Sequence, residues 1–418
     1  MKVLRIENSD NLSGTIRISG AKNSAVALIP AAVLADNDEV TICNVPDITD
    51  IDNLCDILKC LNIDTKRASE SIVIDTKSMK NAEIGEEVST KMRASYYFMG
   101  ALLTKYKKAV MYFPGGCSIG KRPIDLHLKG FEALGAKVTN EGNKYIVEAD
   151  QLNGANIYLD IASVGATINI MLAAVKAKGV TVIDNAAKEP EIVNVAIFLN
   201  SMGAKIVGAG TSTIKIIGVE TLHGAFHEVI PDRIEAGTFI IAGAVAGKEL
   251  KISNIIPEHL ESLISKLEEI GADLEIGDDY VTISKVDNYK PTNIITKVYP
   301  GFPTDLQQPF SVLLTQANGK STVTETIWEN RFMHIPYLVK MGAKAEVSGN
   351  KVTIEGKTPL TGTVVKATDL RAGAAMVVAA LIAKGETTIE DAEHILRGYE
   401  SIVEKLTNVG AKIELKEI

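Results

Sequence analysis

The residues of this chain that could do chemistry are cations at recurrent positions, a carboxylate on a stiff turn, and one cysteine in a glycine-rich stretch. That stretch is Pro114-Gly115-Gly116-Cys117-Ser118-Ile119-Gly120-Lys121-Arg122-Pro123. Its glycines free the backbone for left-handed or close-approach conformations. Lys121 and Arg122 would favour the Cys117 thiolate. The same residues also fit a surface turn with an incidental cysteine. Lys22-Asn23, Arg93, Asp232-Arg233 and Asp369 with Arg371 stand where apolar, small-residue-rich segments begin, and Ser163-Val164-Gly165 and Thr304-Asp305 hold the two remaining equivalents. A helix N-terminus exposes N–H groups and a positive dipole end that favour phosphate and carboxylate. N-capping accounts for Ser163, Thr304, Asp232 and Asp369. It does not account for Lys22, Arg93, Arg233 and Arg371, which oppose the dipole, so a strongly anionic ligand is expected.

Three further segments have a chemical look. Tyr299-Pro300-Gly301-Phe302-Pro303-Thr304-Asp305 reads as a rigid turn delivering a carboxylate at a helix start, or as a capping aspartate. Leu396-Arg397-Gly398-Tyr399-Glu400 reads as an arginine at the opening of the last amphipathic helix, or as a surface ion pair. Arg331 and Arg122 hold the same place in earlier segments. His223 and His227 have a metal-ligand spacing, but the glutamate of HExxH is missing, and a solvated loop is expected there. No P-loop is present, and no metal or cofactor is expected.

A repeat must position these groups. Leu134-Gly135-Ala136-Lys137-Val138 returns around Gly203, Gly271, Gly342 and Gly410, at spacings of 68, 68, 71 and 68 residues, and Leu61-Asn62-Ile63-Asp64-Thr65 is a degenerate copy 73 residues earlier. Six copies at a near-fixed period are a repeat architecture. Each repeat reads as strand, apolar helix (372–383, for instance), strand (386–390), amphipathic helix (398–409), then two strands (345–354): a βαβαββ unit of the α/β class. The phrase itself ends the amphipathic helix with a C-cap glycine. The first helix is apolar nearly all round and should be buried. The sixth repeat stops at Ile418 without its last strand, whereas residues 2–7 form an unmatched strand. The simplest arrangement is a domain over 22–230 and a second over 1–21 plus 231–418, three repeats in each. Two crossings, near 21 and 231, would make a hinge, and a hinge between similar domains suggests a closing cleft.

Composition bounds the reading. The chain has 418 residues, 46% hydrophobic and 23% charged, room for two domains with large cores. A net charge of -8 argues against a nucleic-acid partner. The longest apolar runs fall short of a membrane span, and residues 1–8 lack a signal-peptide pattern. Cys43, Cys55, Cys60 and Cys117 form no CxxC pair, so a reduced, cytoplasmic protein is expected, with the first three cysteines in the core.

In order, and over essentially the whole chain, these segments resemble the enolpyruvyl transferases of the UDP-N-acetylglucosamine 1-carboxyvinyltransferase family. The resemblance rests on Gly20-Ala21-Lys22-Asn23, Met92-Arg93-Ala94-Ser95, residues 114–126, Ser163-Val164-Gly165-Ala166-Thr167, Pro231-Asp232-Arg233-Ile234-Glu235, residues 299–305, Glu329-Asn330-Arg331-Phe332, Asp369-Leu370-Arg371-Ala372-Gly373 and Arg397-Gly398-Tyr399-Glu400. It implies a two-domain inside-out α/β barrel of six repeats, three per domain. It also implies phosphoenolpyruvate and UDP-N-acetylglucosamine as substrates, in the first committed step of peptidoglycan synthesis. Asp305 would be the base near the sugar 3'-hydroxyl, and Cys117 the general acid and the residue alkylated by fosfomycin. Lys22, Arg122 and Arg397 would clamp phosphoenolpyruvate, helped by Arg331 and Arg371. Asn23, Arg93, Arg122, Pro123, Ile124, Asp125, Leu126, Ser163, Val164, Gly165, Asp305 and Ile327 would hold the UDP-sugar. Tyr97 stands where many members carry tryptophan, and Ser118 and Lys121 where small residues are common. A monomer acting on these two small molecules is expected.

Other readings make different demands. The sister enzyme acting on shikimate 3-phosphate shares the fold, but it lacks the cysteine loop and its signature segments are not found here. A sliding-clamp ring would need basic helices lining a hole, whereas the repeated first helices are apolar. An inactive paralogue sits poorly with Lys22, Cys117, Asp305 and Arg397 all being present.

Overall fold

A computed structural model describes residues 2–112 and 124–417. Cys117, Arg122 and Pro123 lie outside the described residues. Among the described residues, five sheets of four strands and one of three share a single plan. In the fifth repeat, Asn293–Ile295 runs parallel to Gly319–Thr324, which pairs antiparallel with Lys351–Gly356, which in turn holds Lys344–Ser348. Parallel neighbours need a crossover, and the apolar helix Gln307–Leu314 provides it. In the second repeat the lead strand is reduced to a parallel bridge between Ile84 and Met111.

Two lead strands are exchanged between repeats. Leu12–Arg17 precedes helix Lys22–Ala32, yet it pairs with Gly247–Ser253 of the fourth repeat. Phe226–Glu228 precedes helix Arg233–Ala246, yet it pairs with Glu39–Cys43 of the first. Lys2–Glu7 lies antiparallel between Glu386–Glu390 and Lys412–Glu417 and supplies the last strand of the sixth repeat. The described chain divides into two compact units, residues 20–112 with 124–230 and residues 2–19 with 231–417.

Each unit has its own core, centred on three apolar helices. These are Lys22–Ala32, Tyr97–Tyr106 and Val164–Ala174 in one, and Arg233–Ala246, Gln307–Leu314 and Leu370–Ile382 in the other. Every residue from Ile234 to Ala246 is buried, as a helix apolar on all sides must be. Small residues set the helix spacing. A Cβ on Gly100 would lie 2.4 Å from the carbonyl oxygen of Asn169 on the neighbouring helix.

The repeated phrase is a backbone device. Gly135, Gly203, Gly271, Gly342 and Gly410 all have φ between 85° and 108°, and Asn62 of the degenerate copy has φ 56°. This is the left-handed turn that ends a helix; asparagine tolerates it where most side chains do not. A second device recurs at the ends of the second strands. Asn44, Asn185 and Asn254 adopt φ 55–57°. Their amides donate to the carbonyls of Val229, Leu159 and Ile18, at 2.8, 2.7 and 2.6 Å, one residue past each lead strand.

The structure corrects three expectations. The last amphipathic helix spans only Ile402–Asn408, because Ser401 is left-handed at φ 47°. Arg397 therefore does not open that helix; it C-caps a separate short one, Glu393–Leu396. Cys55 is buried, but Cys43 is half-buried and Cys60 exposed. His227 is no loop residue: it is buried on strand Phe226–Glu228, its ring 2.9 Å from the Asn194 amide.

Candidate active site

In the unit that holds it, Asp305 follows a turn pinned from below. Phe302 and Leu306 are buried, and the Phe302 ring meets Phe310 edge-on at 5.3 Å. The carboxylate does not cap helix Gln307–Leu314, which has no side-chain cap. Instead Arg331 Nη2 reaches Oδ1 at 2.5 Å and Arg371 Nε reaches Oδ2 at 3.2 Å. The arginine side chains are 2% and 5% exposed and that of Asp305 is 26% exposed, so the guanidiniums are held inside while the carboxylate is partly exposed. Asp232 and Asp369 do cap: each accepts two backbone N–H groups of the helix that follows it.

The arginines are held in turn. Oriented to satisfy both neighbours, the Gln308 amide donates to the Thr304 carbonyl at 3.0 Å and accepts from Arg331 Nε at 2.8 Å. Gln307 Nε2 donates to the Arg331 carbonyl at 3.0 Å. His334 is buried three residues on, and burial, with the nearby Arg331 charge, pushes it down to about 3. A neutral ring therefore adds no charge beside Arg331. Arg371 Nη1 donates to the Tyr399 hydroxyl at 3.1 Å.

Ile327 is placed by a residue that pattern reading missed. The buried Glu325 carboxylate accepts from Thr296 Oγ1 at 2.8 Å, Thr304 Oγ1 at 2.7 Å and the Ile327 N–H at 2.7 Å. One anion thus ties the turn before Asp305 to the segment leading to Arg331, with charge-assisted bonds stronger than neutral ones. The buried Glu235 pairs with Lys405 at 2.6 Å and accepts from the Ser19 N–H at 3.0 Å. Ser19 Oγ also contacts Glu400. Motif 231–235 is thereby tied to motif 397–400. Burial pushes the Glu235 carboxyl up to about 7 against the pull of Lys405. Arg397 is half-buried beside this network.

In the other unit, Lys22 opens its helix, and its Nζ meets the buried Asp50 at 2.6 Å. Asn23 is exposed one residue later. Arg93 starts a 3₁₀ turn, Arg93–Tyr96, and its guanidinium lies 5.7 Å from the Tyr96 ring centre. The Tyr96 ring meets His127 at 4.7 Å. A Cβ on Gly165 would stand 2.7 Å from Tyr96 Oη and 3.1 Å from the His127 ring. Arg93, the segment Ile124-Asp125-Leu126 and the segment Ser163-Val164-Gly165 thus converge on Tyr96 and His127. Sequence pattern gave no signal for either. Ser163 caps its helix through the Ala166 N–H at 3.3 Å. Asp125 is exposed, while Leu126, Ser163, Val164 and Gly165 are half-buried. Tyr97, at the position where the family often has tryptophan, is buried against Tyr96, which pushes its phenol well up. Among the described residues no cluster of His, Cys, Asp and Glu could hold a metal, and no helix is long and apolar enough to cross a membrane.

Buried Arg331 and Arg371 and half-buried Lys22, Arg93 and Arg233, on a six-repeat α/β fold, are cations suited to holding anions. The family model for EPSP synthase (3-phosphoshikimate 1-carboxyvinyltransferase) matches residues 6–406, and the chain belongs to this family of enolpyruvyl transferases. It is 55% identical over 410 residues to UDP-N-acetylglucosamine 1-carboxyvinyltransferase 2 of Listeria monocytogenes serovar 1/2a, covering 98% of this chain and 97% of that one. It is 56% identical over 414 residues to the protein of the same name from Bacillus subtilis, covering 99% and 96%. The crystal structure of the enolpyruvyl transferase NikO from Streptomyces tendae superposes with a TM-score of 0.91 at 27% identity, over 99% of each chain. EPSP synthase from Acinetobacter baumannii superposes at 0.78 with 18% identity over the full length of both, a likeness of fold alone.

Proposed function

We propose that this protein transfers the enolpyruvyl group of phosphoenolpyruvate to the 3'-hydroxyl of UDP-N-acetylglucosamine, with release of phosphate, in peptidoglycan synthesis. The observation that carries this reading is Asp305, a partly exposed carboxylate gripped by two buried arginines, in a chain more than half identical to proteins named for that reaction. The hydroxyl oxygen bonds to C2 of phosphoenolpyruvate while its proton goes to Asp305. C3 gains a proton from Cys117, and a tetrahedral intermediate results. The C2–O bond to phosphate then breaks as the Asp305 proton passes to the departing phosphate, C3 returns a proton to the Cys117 thiolate, and the double bond is restored in the product. Lys22, Arg122 and Arg397 bind the phosphate and carboxylate of phosphoenolpyruvate, and Arg331 and Arg371 add positive field, since such a dianionic ligand needs several convergent cations. Asn23, Arg93, residues 122–126, residues 163–165, Asp305 and Ile327 hold the UDP-sugar. Orienting two substrates in this way lowers a barrier by as much as about 7–11 kcal/mol. The protein works in the cytoplasm as a monomer on these small molecules, without nucleic acid or membrane, in keeping with its charge of -8.

Phosphate release from phosphoenolpyruvate is the test. Release is expected with UDP-N-acetylglucosamine and is expected to stop after fosfomycin treatment. Release with shikimate 3-phosphate instead would move the assignment to the sister reaction, and release with neither would favour an inactive paralogue. Cys117→Asp is expected to keep turnover and lose time-dependent fosfomycin inhibition; inhibition that persists in this variant would refute the role given to Cys117.

A further inference from the structure

Beyond Arg371, the hydrogen-bonded chain behind Asp305 has no part in the roles above, and its proton polarity is fixed from end to end. Thr238 sits in helix Arg233–Ala246 and donates its hydroxyl proton to the Ile234 carbonyl at 2.8 Å. That hydroxyl carries one proton. Its 2.9 Å contact with Tyr399 Oη must therefore be a bond in which Tyr399 donates. The phenol proton is then committed, and Tyr399 Oη can only accept from Arg371 Nη1, at 3.1 Å. An arginine has no acceptor, so the order is unique: Arg371 to Tyr399, Tyr399 to Thr238, Thr238 to Ile234. Arg371, Tyr399 and Thr238 are 5%, 1% and 3% exposed, so water does not replace a lost link. The Arg371 backbone is held separately, because its N–H donates to Asp369 at 2.8 Å. Nε, on the same guanidinium, faces Asp305 at 3.2 Å.

We propose that Tyr399 is a positioning residue for the transfer reaction, and Thr238 a second one acting through it. The phenol oxygen fixes the in-plane rotation of the Arg371 guanidinium and so the direction from which Nε meets the Asp305 carboxylate. Burial pushes the Tyr399 phenol up, which keeps it in the neutral form the chain requires. This inference rests on the base role given to Asp305.

The test measures steady-state turnover of the full-length protein with both substrates. Tyr399→Phe keeps the ring and removes one oxygen. Its kcat is expected to fall about tenfold, the cost of one hydrogen bond to a charged group, with KM for each substrate within about twofold of the parent. Thr238→Val is expected to lower kcat in the same sense, and Thr238→Ser, which restores the hydroxyl, to return it to the parent value. Unchanged kcat in Tyr399→Phe would overturn the proposal. So would equal behaviour of Thr238→Val and Thr238→Ser, or a loss carried by KM alone. Asp305→Asn separates the two levels: parent-like turnover there would sink the base role, whereas an inactive Asp305→Asn beside a fully active Tyr399→Phe would sink only the positioning role.

Discussion

Lys22 with Asp50 and Asp305 with Arg331 occupy the same two places of the repeat with their charges exchanged. In the first repeat the cation stands where the buried helix begins and the carboxylate where the second helix begins, 2.6 Å apart. In the fifth repeat the carboxylate lies just before the buried helix and the arginine in the segment before the second, 2.5 Å apart. The sixth repeat then adds Arg371 to the second pair. One backbone framework thus offers a held cation in one unit and a held carboxylate in the other. Reaction chemistry can be divided over repeats by exchanging side chains at fixed positions, with no change of fold. Phosphoenolpyruvate needs the first kind of site, and removal of a proton from a sugar hydroxyl needs the second.

The comparison can be broken at its partners. Asp50→Ala removes the buried carboxylate from the Lys22 pair, and breaking a buried pair costs about 3–5 kcal/mol. Urea unfolding is expected to show a loss of that order, with a raised KM for phosphoenolpyruvate. An unchanged unfolding midpoint would mean that the pair does not hold Lys22. Glu325→Ala takes an acceptor from Thr296, Thr304 and Ile327 at once, and a loss of about 2–3 kcal/mol is expected, together with a raised KM for the UDP-sugar. Loss of stability with both KM values unchanged would separate Glu325 from the site. Glu235 gives an effect that is read as a slope with pH. Burial raises its folded value to about 7, well above the ordinary range of a glutamate. The folded state therefore holds the proton more tightly, and this group's contribution is fully present below the unfolded value and lost as pH rises through about 7. Parent stability should decline over that window, and Glu235→Gln should flatten the decline. An equally steep profile in the variant would assign the pH dependence elsewhere.

The repeat was legible because its signal is local. A left-handed residue closing a helix leaves glycine at 135, 203, 271, 342 and 410, and Asn62 shows the one substitution such a turn tolerates. The cations stood out because they sit where the helix dipole disfavours them. What stayed hidden depends on contacts between distant segments. Nothing in the pattern of Leu12–Arg17 tells that it pairs beside Gly247–Ser253, since a lead strand reads the same in either sheet. Glu325 and Tyr399 look like ordinary strand-end and turn residues until Thr304 and Arg371 are brought to them. Ser401 misled for the opposite reason: serine has no marked preference for φ 47°, so an apolar helical rhythm over 398–409 concealed the break.

The proposed division of labour gives binding of the enolpyruvyl donor to the Lys22 site and removal of the acceptor's proton to the Asp305 site. It is tested most directly by titrating phosphoenolpyruvate into Lys22→Gln and Asp305→Asn by calorimetry, in the presence of UDP-N-acetylglucosamine, and measuring phosphate release from the same samples. Asp305→Asn is expected to bind phosphoenolpyruvate within a few-fold of the parent and to release phosphate about 10²–10⁴ times more slowly, whereas Lys22→Gln is expected to lose the binding itself. Parent-like phosphate release by Asp305→Asn, or parent-like phosphoenolpyruvate affinity in Lys22→Gln, would contradict the claim.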